Sequence, residues 1–584
     1  MKQDAAVSYR IEVADASAHR YRVQLAVPAP AKGQVLSLPV WIPGSYMVRE
    51  FGRHLSGLTA RQGRRAVVLT QLDKTRWRAE TSGNTALTVD YDVYAFDTSV
   101  RTAFLDDSRG FINPSSLCLC AHGHEARRHE LRLARLPAGW DCATAMPALG
   151  SEKHAYVSAD YDELVDHPVE LGRFWRGHFE AGGVPHEFVV AGAWPGFDGE
   201  RLLADTKRIC ATQIAFWHGR GKPPFGRYVF LLNTVEEGYG GLEHRASTAL
   251  LANRRDLPRR GQGGASGLSD GYLTLLGLIS HEYFHTWNVK RLKPAEFMRL
   301  DYSRENYTEL LWFFEGFTSY YDDLMLRRAG LVDSARYLKL VARTMSGVRA
   351  SPGQAVQSVA EASFDAWVKY YRTDENTPNS TISYYTKGSL VALLLDLHLR
   401  QAGHSLDALM RRLWKVAPGG AVTEALVLAE VAALGGAALA ERLAVWVHGR
   451  SELPLAEALA QAGVAVGEDK AGWAASLGLK LSEGPVTGVQ VKSVLRGGAG
   501  AAAGVSAGDE LLAVDGWRIR RLDDAQQWVA EGQAFDLTLV RNQRLRTLTV
   551  RPTAVPAFAS NLTLAPEARP AAAALALRRG WLGD

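Results

Sequence analysis

The sequence predicts a multidomain α+β protein: an all-β N-terminal part, a mostly helical centre and a small β-rich module near the C-terminus. Three observations carry this. The chain of 584 residues is too long for one hydrophobic core. The period of its apolar residues changes from two to 3.6 near Tyr272. Beyond residue 465, short runs of Gly, Val and Leu return, with tight turns marked by Gly497, Gly498, Gly500, Gly504, Gly508 and Gly516.

In chain order, residues 1–170 alternate apolar and polar positions in short runs such as Tyr9–Val13, Tyr21–Val27 and Leu87–Tyr94, broken by Gly, Pro and Asp turns. This is the all-β domain. Residues 171–462 keep some strand-like runs, including Tyr228–Asn233, and then become helical, which predicts a second domain of α+β type. Residues 465–555 form the small module. The Pro- and Ala-rich stretch 556–584 reads as a linker and tail, with Trp581 as a residue able to dock on a neighbouring surface.

Composition excludes several classes. With 47% hydrophobic and 22% charged residues, the chain is neither disordered nor fibrous. Its 67 basic and 62 acidic residues are interspersed and leave a net charge of only +5, so no basic stripe points to nucleic acid. Cys118, Cys120, Cys142 and Cys210 lack paired CxxC spacing and read as buried thiols. No signal-peptide pattern opens the sequence, so the expected location is cytoplasmic, or periplasmic if a leader has been trimmed. The most apolar stretch, Ala425–Val447, is interrupted by Glu430, Gly435, Gly436, Glu441 and Arg442, which favours one or two core helices over a membrane span.

The strongest chemical signal is LLGLISHEYFHTWNVKRLKP. On a helix, the spacing of His281 and His285 puts both imidazoles on one face a turn apart, able to share a metal ion. Glu282 follows the first histidine, where it can act as the base that activates water at the metal. The spacing alone also suits two satisfied core histidines. Downstream, ELLWFFEGFTSYYDDLM places Glu315 among Trp312, Phe313, Phe314 and Phe317, where a carboxylate needs a partner and can be the third ligand of a catalytic zinc. Asp322 shares its helical face and can orient a ligand histidine; by spacing alone it is equally a solvated charge beside Asp323.

Around HEYFHTWNVKRLKP and FFEGFTSYYDDL the sequence resembles the PDZ-containing glycyl aminopeptidases, zinc peptidases whose third ligand is Glu. WIPGSYMVREFGRH (Trp41–His54) and VRTAFLDDSRGFINPSS (Val100–Ser116) resemble the N-terminal β domain of that family, and GVSAGDELLAVDG (Gly504–Gly516) resembles a PDZ domain of the bacterial protease type. The resemblance implies a thermolysin-like catalytic domain holding one Zn2+ per chain. It also implies that GYGGLEHRAS (Gly238–Ser247) lines the substrate cleft as an edge strand, with Gly240 and Gly241 letting the peptide backbone approach and Glu243 binding the free α-amino group.

Leu242 and His244 depart from the broader pattern of Met and Asn, and Glu236 and Glu237 just upstream can share the amine-binding task or be exposed loop charges. In SYYTKGSLVALLLDLHL, the match to Tyr-x-Lys-Gly implies that Tyr385 stabilises the oxyanion, with Tyr384 as the alternative. Expected partners are peptides with a free N-terminus, small residues such as Gly or Ala preferred; Ser476–Leu479 of the PDZ module can capture a peptide C-terminus or be filled by the chain itself. A zinc endopeptidase and an inert PDZ scaffold are the alternatives.

Overall fold

The computed structural model describes residues 5–261, 268–469, 472–530, 532–552 and 559–583. The boundary expected at 555/556 lies outside these residues. The chain divides into two compact units, Met1–Asn306 and Tyr307–Asp584.

The first unit opens with the β domain. In its seven-stranded sheet Val7–Asp15 pairs antiparallel with the central strand Arg20–Val27 and parallel with His129–Ala134. Val7, Tyr9 and Ile11 are buried while Arg10 is exposed, the alternation that a half-buried strand requires. Four buried tyrosines tie distant backbone to this core: Tyr9 donates to the Leu119 carbonyl (2.8 Å), Tyr91 to Leu117 (2.7 Å), Tyr161 to Cys118 (2.8 Å) and Tyr21 to Phe104 (3.0 Å). All four cysteines are buried free thiols.

A five-stranded mixed sheet follows. Its order is Trp175–Ala181, Val184–Ala191, Tyr228–Val235, Ser247–Asn253 and Gly240–Glu243, so the last lies at the sheet's edge. Ile42, Val100, Phe104 and Phe111 of the β domain form one apolar cluster with Val189, Leu231, Leu242 and Ala249 of this sheet. The two parts of the unit therefore share a core, which fixes the β-domain loops against the edge strand.

The second unit is helical at its centre. Its long helices include Leu311–Arg328, Ser334–Arg349 and Thr386–Gln401. The first and third cross at two glycines: a Cβ on Gly388 would lie 2.8 Å from the Trp312 carbonyl, and one on Gly316 would lie 2.6 Å from the Gly388 backbone. The apolar stretch read as one or two helices is two, Glu424–Gly435 and Ala437–His448, broken at Gly436 with φ +86°. Among the described residues, no helix is long and apolar enough to cross a membrane.

The C-terminal module has a sheet ordered Leu479–Gly484, Gly488–Val494, Glu510–Val514, Phe535–Arg541 and Arg544–Val550. In the loop expected to capture a carboxylate, the amides of Ser476, Leu477 and Gly478 already donate to the carbonyls of Gly472, Trp473 and Ala475. A peptide terminus finds no free donors at those three positions. The composition of 556–584 suggested a tail, but Asn561–Pro566 pairs antiparallel with Val464–Asp469, and Ala572–Leu582 is a helix with Trp581 1% exposed. The strand's partner lies about a hundred residues earlier, beyond the reach of a local reading.

The glycine crossing yields a stability test. Gly388→Ala forces the two helices apart and should destabilise the protein by about 1–3 kcal/mol in chemical denaturation. Gly347→Ala, on an exposed helix position with nothing within 4 Å, should be neutral or stabilising, by up to about 1 kcal/mol.

Candidate metal centre and peptide-binding edge

The helix Asp270–Phe284 begins at Ser269, whose side chain accepts from the Tyr272 amide, and its buried face carries Leu275, Leu276, Leu278 and Ile279. Gln213 donates to the Ser280 carbonyl at 2.8 Å, and the Tyr283 hydroxyl meets His186 Nε2 at 2.8 Å, so the helix is held at both sides. His281 and the C-capping His285 therefore project from a rigid element.

His285 Nδ1 donates to the Asn288 carbonyl at 2.7 Å, which leaves its Nε2 as a lone pair. That Nε2 lies 3.0 Å from His281 Nε2. One ligand atom each from His281, His285 and Glu315 lies within 4.8 Å of the others. Two imidazole nitrogens at this separation suit a tetrahedral ion, whose ligands at about 2.1 Å stand roughly 3.4 Å apart. The donor set fits a divalent metal.

Directly after His285 the backbone is strained. Val289, a β-branched residue, has φ +123°, and its amide donates to the Leu292 carbonyl at 2.9 Å. The next residue, Lys290, sends its ammonium 2.7 Å to Asp166, a buried carboxylate of the β domain. Asp166 also accepts from His244 Nδ1 (3.1 Å) and the Arg245 amide (2.9 Å). Asp166 thus joins the β domain, the residues following Glu243 and the loop following the histidines. Burial alone would raise its pKa, but Lys290, His244 and Arg245 together hold it well below the usual carboxylate range.

The edge strand passes close over the helix. A Cβ on Gly241 would collide with the Glu282 carboxylate, so any larger residue there must displace the Glu282 side chain. By strand alternation Glu243 points to the same face as Gly241. Glu243 is 4% exposed, and its Oε1 has no hydrogen-bond partner among the described residues. Gly44, with φ +91°, packs its backbone against that carboxylate. Of the alternative partners, Glu236 and Glu237 are exposed loop charges, and Glu237 faces Arg255 at 3.8 Å. Leu242 is fully buried in the shared core, and His244 is spent on Asp166.

In the second unit the helix crossing brings Tyr385 under the influence of Glu315. Burial first, and the Glu315 charge second, push the Tyr385 phenol well above its ordinary pKa, so it stays an O–H donor. Tyr384 stacks beside it at 4.8 Å and is fully buried. Asp322 sits half-buried on the Glu315 helix, accepting from the Asp323 amide at 2.6 Å. Asp166, Lys290 and Gly44 went unread in the sequence; their signal is a contact to residues far away in the chain.

Comparison with known proteins follows this geometry. Family models match residues 8–173 (peptidase M61 N-terminal domain), 274–391 (M61 glycyl aminopeptidase) and 490–541 (PDZ domain). The crystal structure of an aminopeptidase N family protein from Idiomarina loihiensis is 36% identical, with 99% of this chain and 100% of that one covered and a TM-score of 0.92. The chain belongs to the M61 glycyl aminopeptidase family. It is a metallo-aminopeptidase with a C-terminal PDZ domain, as that membership and the ligand cluster require. An M1 zinc metallopeptidase from Deinococcus radiodurans is 15% identical over 77% of this chain and 95% of that one, with a TM-score of 0.49. No curated protein matches.

The Asp166 cluster gives a pH test. Because the folded-state pKa is depressed, its contribution to stability is full above about pH 4 and is lost as pH falls further. Asp166→Asn should lower stability at pH 7 and flatten the acid limb of the denaturation midpoint plotted against pH. An acid limb identical to wild type would refute the assignment.

Proposed function

We propose that the protein is a zinc aminopeptidase that removes small N-terminal residues, Gly or Ala preferred, from peptides. One observation carries this reading: Glu243 is a buried carboxylate with an unpartnered oxygen, on the strand face that abuts Glu282. Such a group is costly out of water unless a cation meets it, and the α-ammonium of a substrate is that cation. An endopeptidase has no use for the arrangement.

In this reading His281, His285 and Glu315 hold one Zn2+ per chain, and the ion, when bound, supplies Lewis acidity for the scissile carbonyl and for a water. Glu282 accepts the proton of the attacking water and returns it to the departing amine nitrogen. Tyr385 donates its hydroxyl proton in a hydrogen bond to the developing oxyanion. Asp322 orients a ligand histidine. Gly240 and Gly241 let the peptide backbone approach the edge strand. The restriction to small residues is supported by the cavity beside Glu243, about 40 Å3, lined by Ile42, Gly44, Tyr46 and Val289 together with the charged Asp166 and Lys290. That volume holds about two or three waters, or one small side chain.

Aminoacyl anilides test the proposal. Gly and Ala anilides should be cleaved on the order of tenfold or more faster than Leu anilide, with N-acetylated forms inert. Glu282→Gln should retain one zinc and lose roughly 1000-fold or more in kcat. Cleavage of acetylated substrates at comparable rates would sink the role of Glu243.

A further inference from the structure

The Val100–Ser116 segment contains a cation that the chemistry above does not use. Arg101 comes from the β domain and is half-buried; its Nη2 donates to the Gly241 carbonyl at 3.0 Å, across 140 positions of sequence. Its Nη1 lies 3.4 Å from where a Cβ on Gly240 would stand, so the guanidinium lies along the two glycines of the edge strand. Its Nε is buried without a partner, and among the described residues no carboxylate pairs with it. The loop is fixed: Val100 is buried in the core shared with the sheet, and its carbonyl accepts from Asn113 Nδ2 at 3.4 Å.

An unpaired guanidinium held rigidly beside a binding strand is a ready receptor for a carboxylate, which it grips with two parallel N–H bonds. The geometry sets which carboxylate. From Glu243, at the amine, to Gly241, at Arg101, is two strand residues, about 7 Å. An extended dipeptide spans about the same length between its charged ends, and a tripeptide about 10 Å. Gly241 also abuts Glu282, so the scissile bond of such a peptide lies between the two charged anchors.

We propose that Arg101 binds the C-terminal carboxylate of the substrate, which makes the preferred substrates free peptides of two or three residues. The proposal rests on the reading that Glu243 holds the α-amine. A longer chain meets a guanidinium that already occupies a carbonyl of the edge strand, and brings no charge to pair with it.

The test compares kcat/KM for Gly-Ala and its C-terminal amide, using the zinc-loaded full chain. Wild type should favour the free acid on the order of tenfold or more. Arg101→Met should bring the ratio to about one, and Arg101→Lys, which keeps the charge but not the fork, should restore part of it. If wild type cleaves the amide as well as the acid, the proposal is overturned without any variant; it is equally overturned if a folded Arg101→Met keeps the preference. Gly anilide in free and acetylated form, run alongside, separates the two readings. A wild type that cleaves free anilide but not acetylated anilide, and shows no acid preference, removes Arg101 alone.

Discussion

A carboxylate taken out of water costs several kilocalories per mole unless a cation meets it, and this chain buries Asp166, Glu243, Glu282 and Glu315. That constraint organises the rest. Asp166 is met from within by Lys290, His244 and the Arg245 amide. Glu315 shares a donor cluster with two histidines. Glu243 keeps an oxygen that nothing in its own unit satisfies. In the proposed reading this difference separates scaffold from site: a satisfied buried charge ties elements together, whereas an unsatisfied one is left for a substrate to meet.

The scaffold around these charges is made by close approach. Glycine at 241 lets a strand ride over Glu282, glycine at 44 lets a loop of the β domain touch Glu243, and the pair Gly316 and Gly388 brings the Tyr385 helix onto the Glu315 helix. Each glycine sits beside a residue of the candidate site. Removing the side chain is what allows a functional group and a backbone to share the space; the backbone contact of Gly316 with Gly388 and the positive φ of Gly44 leave little tolerance for a methyl group, whereas at Gly241 the Glu282 side chain would have to move.

The sequence made the candidate metal cluster legible because two of its residues share one helical turn and the third is a carboxylate isolated among aromatics. The β domain and the helical region were legible through hydrophobic period, and the break at Gly435–Gly436 through its glycines. Asp166, Lys290 and Arg101 were not legible, because their meaning lies in partners tens to hundreds of positions away and their residue types are ordinary surface charges. The strand Asn561–Pro566 was hidden for the same reason: without Val464–Asp469 beside it, a short run inside a Pro- and Ala-rich stretch reads as unstructured. The PDZ loop expected to capture a carboxylate was legible as a motif, but that the amides of Ser476, Leu477 and Gly478 are spent within the loop is a matter of local turn geometry.

The pairing of Val464–Asp469 with Asn561–Pro566 has a consequence for the architecture. Asp469 stands opposite Asn561, so the chain leaves for the PDZ domain and returns from it at one place, and the final helix still packs on the body of the unit afterwards. The PDZ domain is therefore not a pendant at the end of the protein but a cassette seated in a clasp. It is held further by Asn379, which donates to the Val494 carbonyl at 2.9 Å and accepts from the Arg496 amide at 2.8 Å. A cassette with a single point of entry and exit can be enlarged, exchanged or lost without rerouting the chain that builds the peptidase.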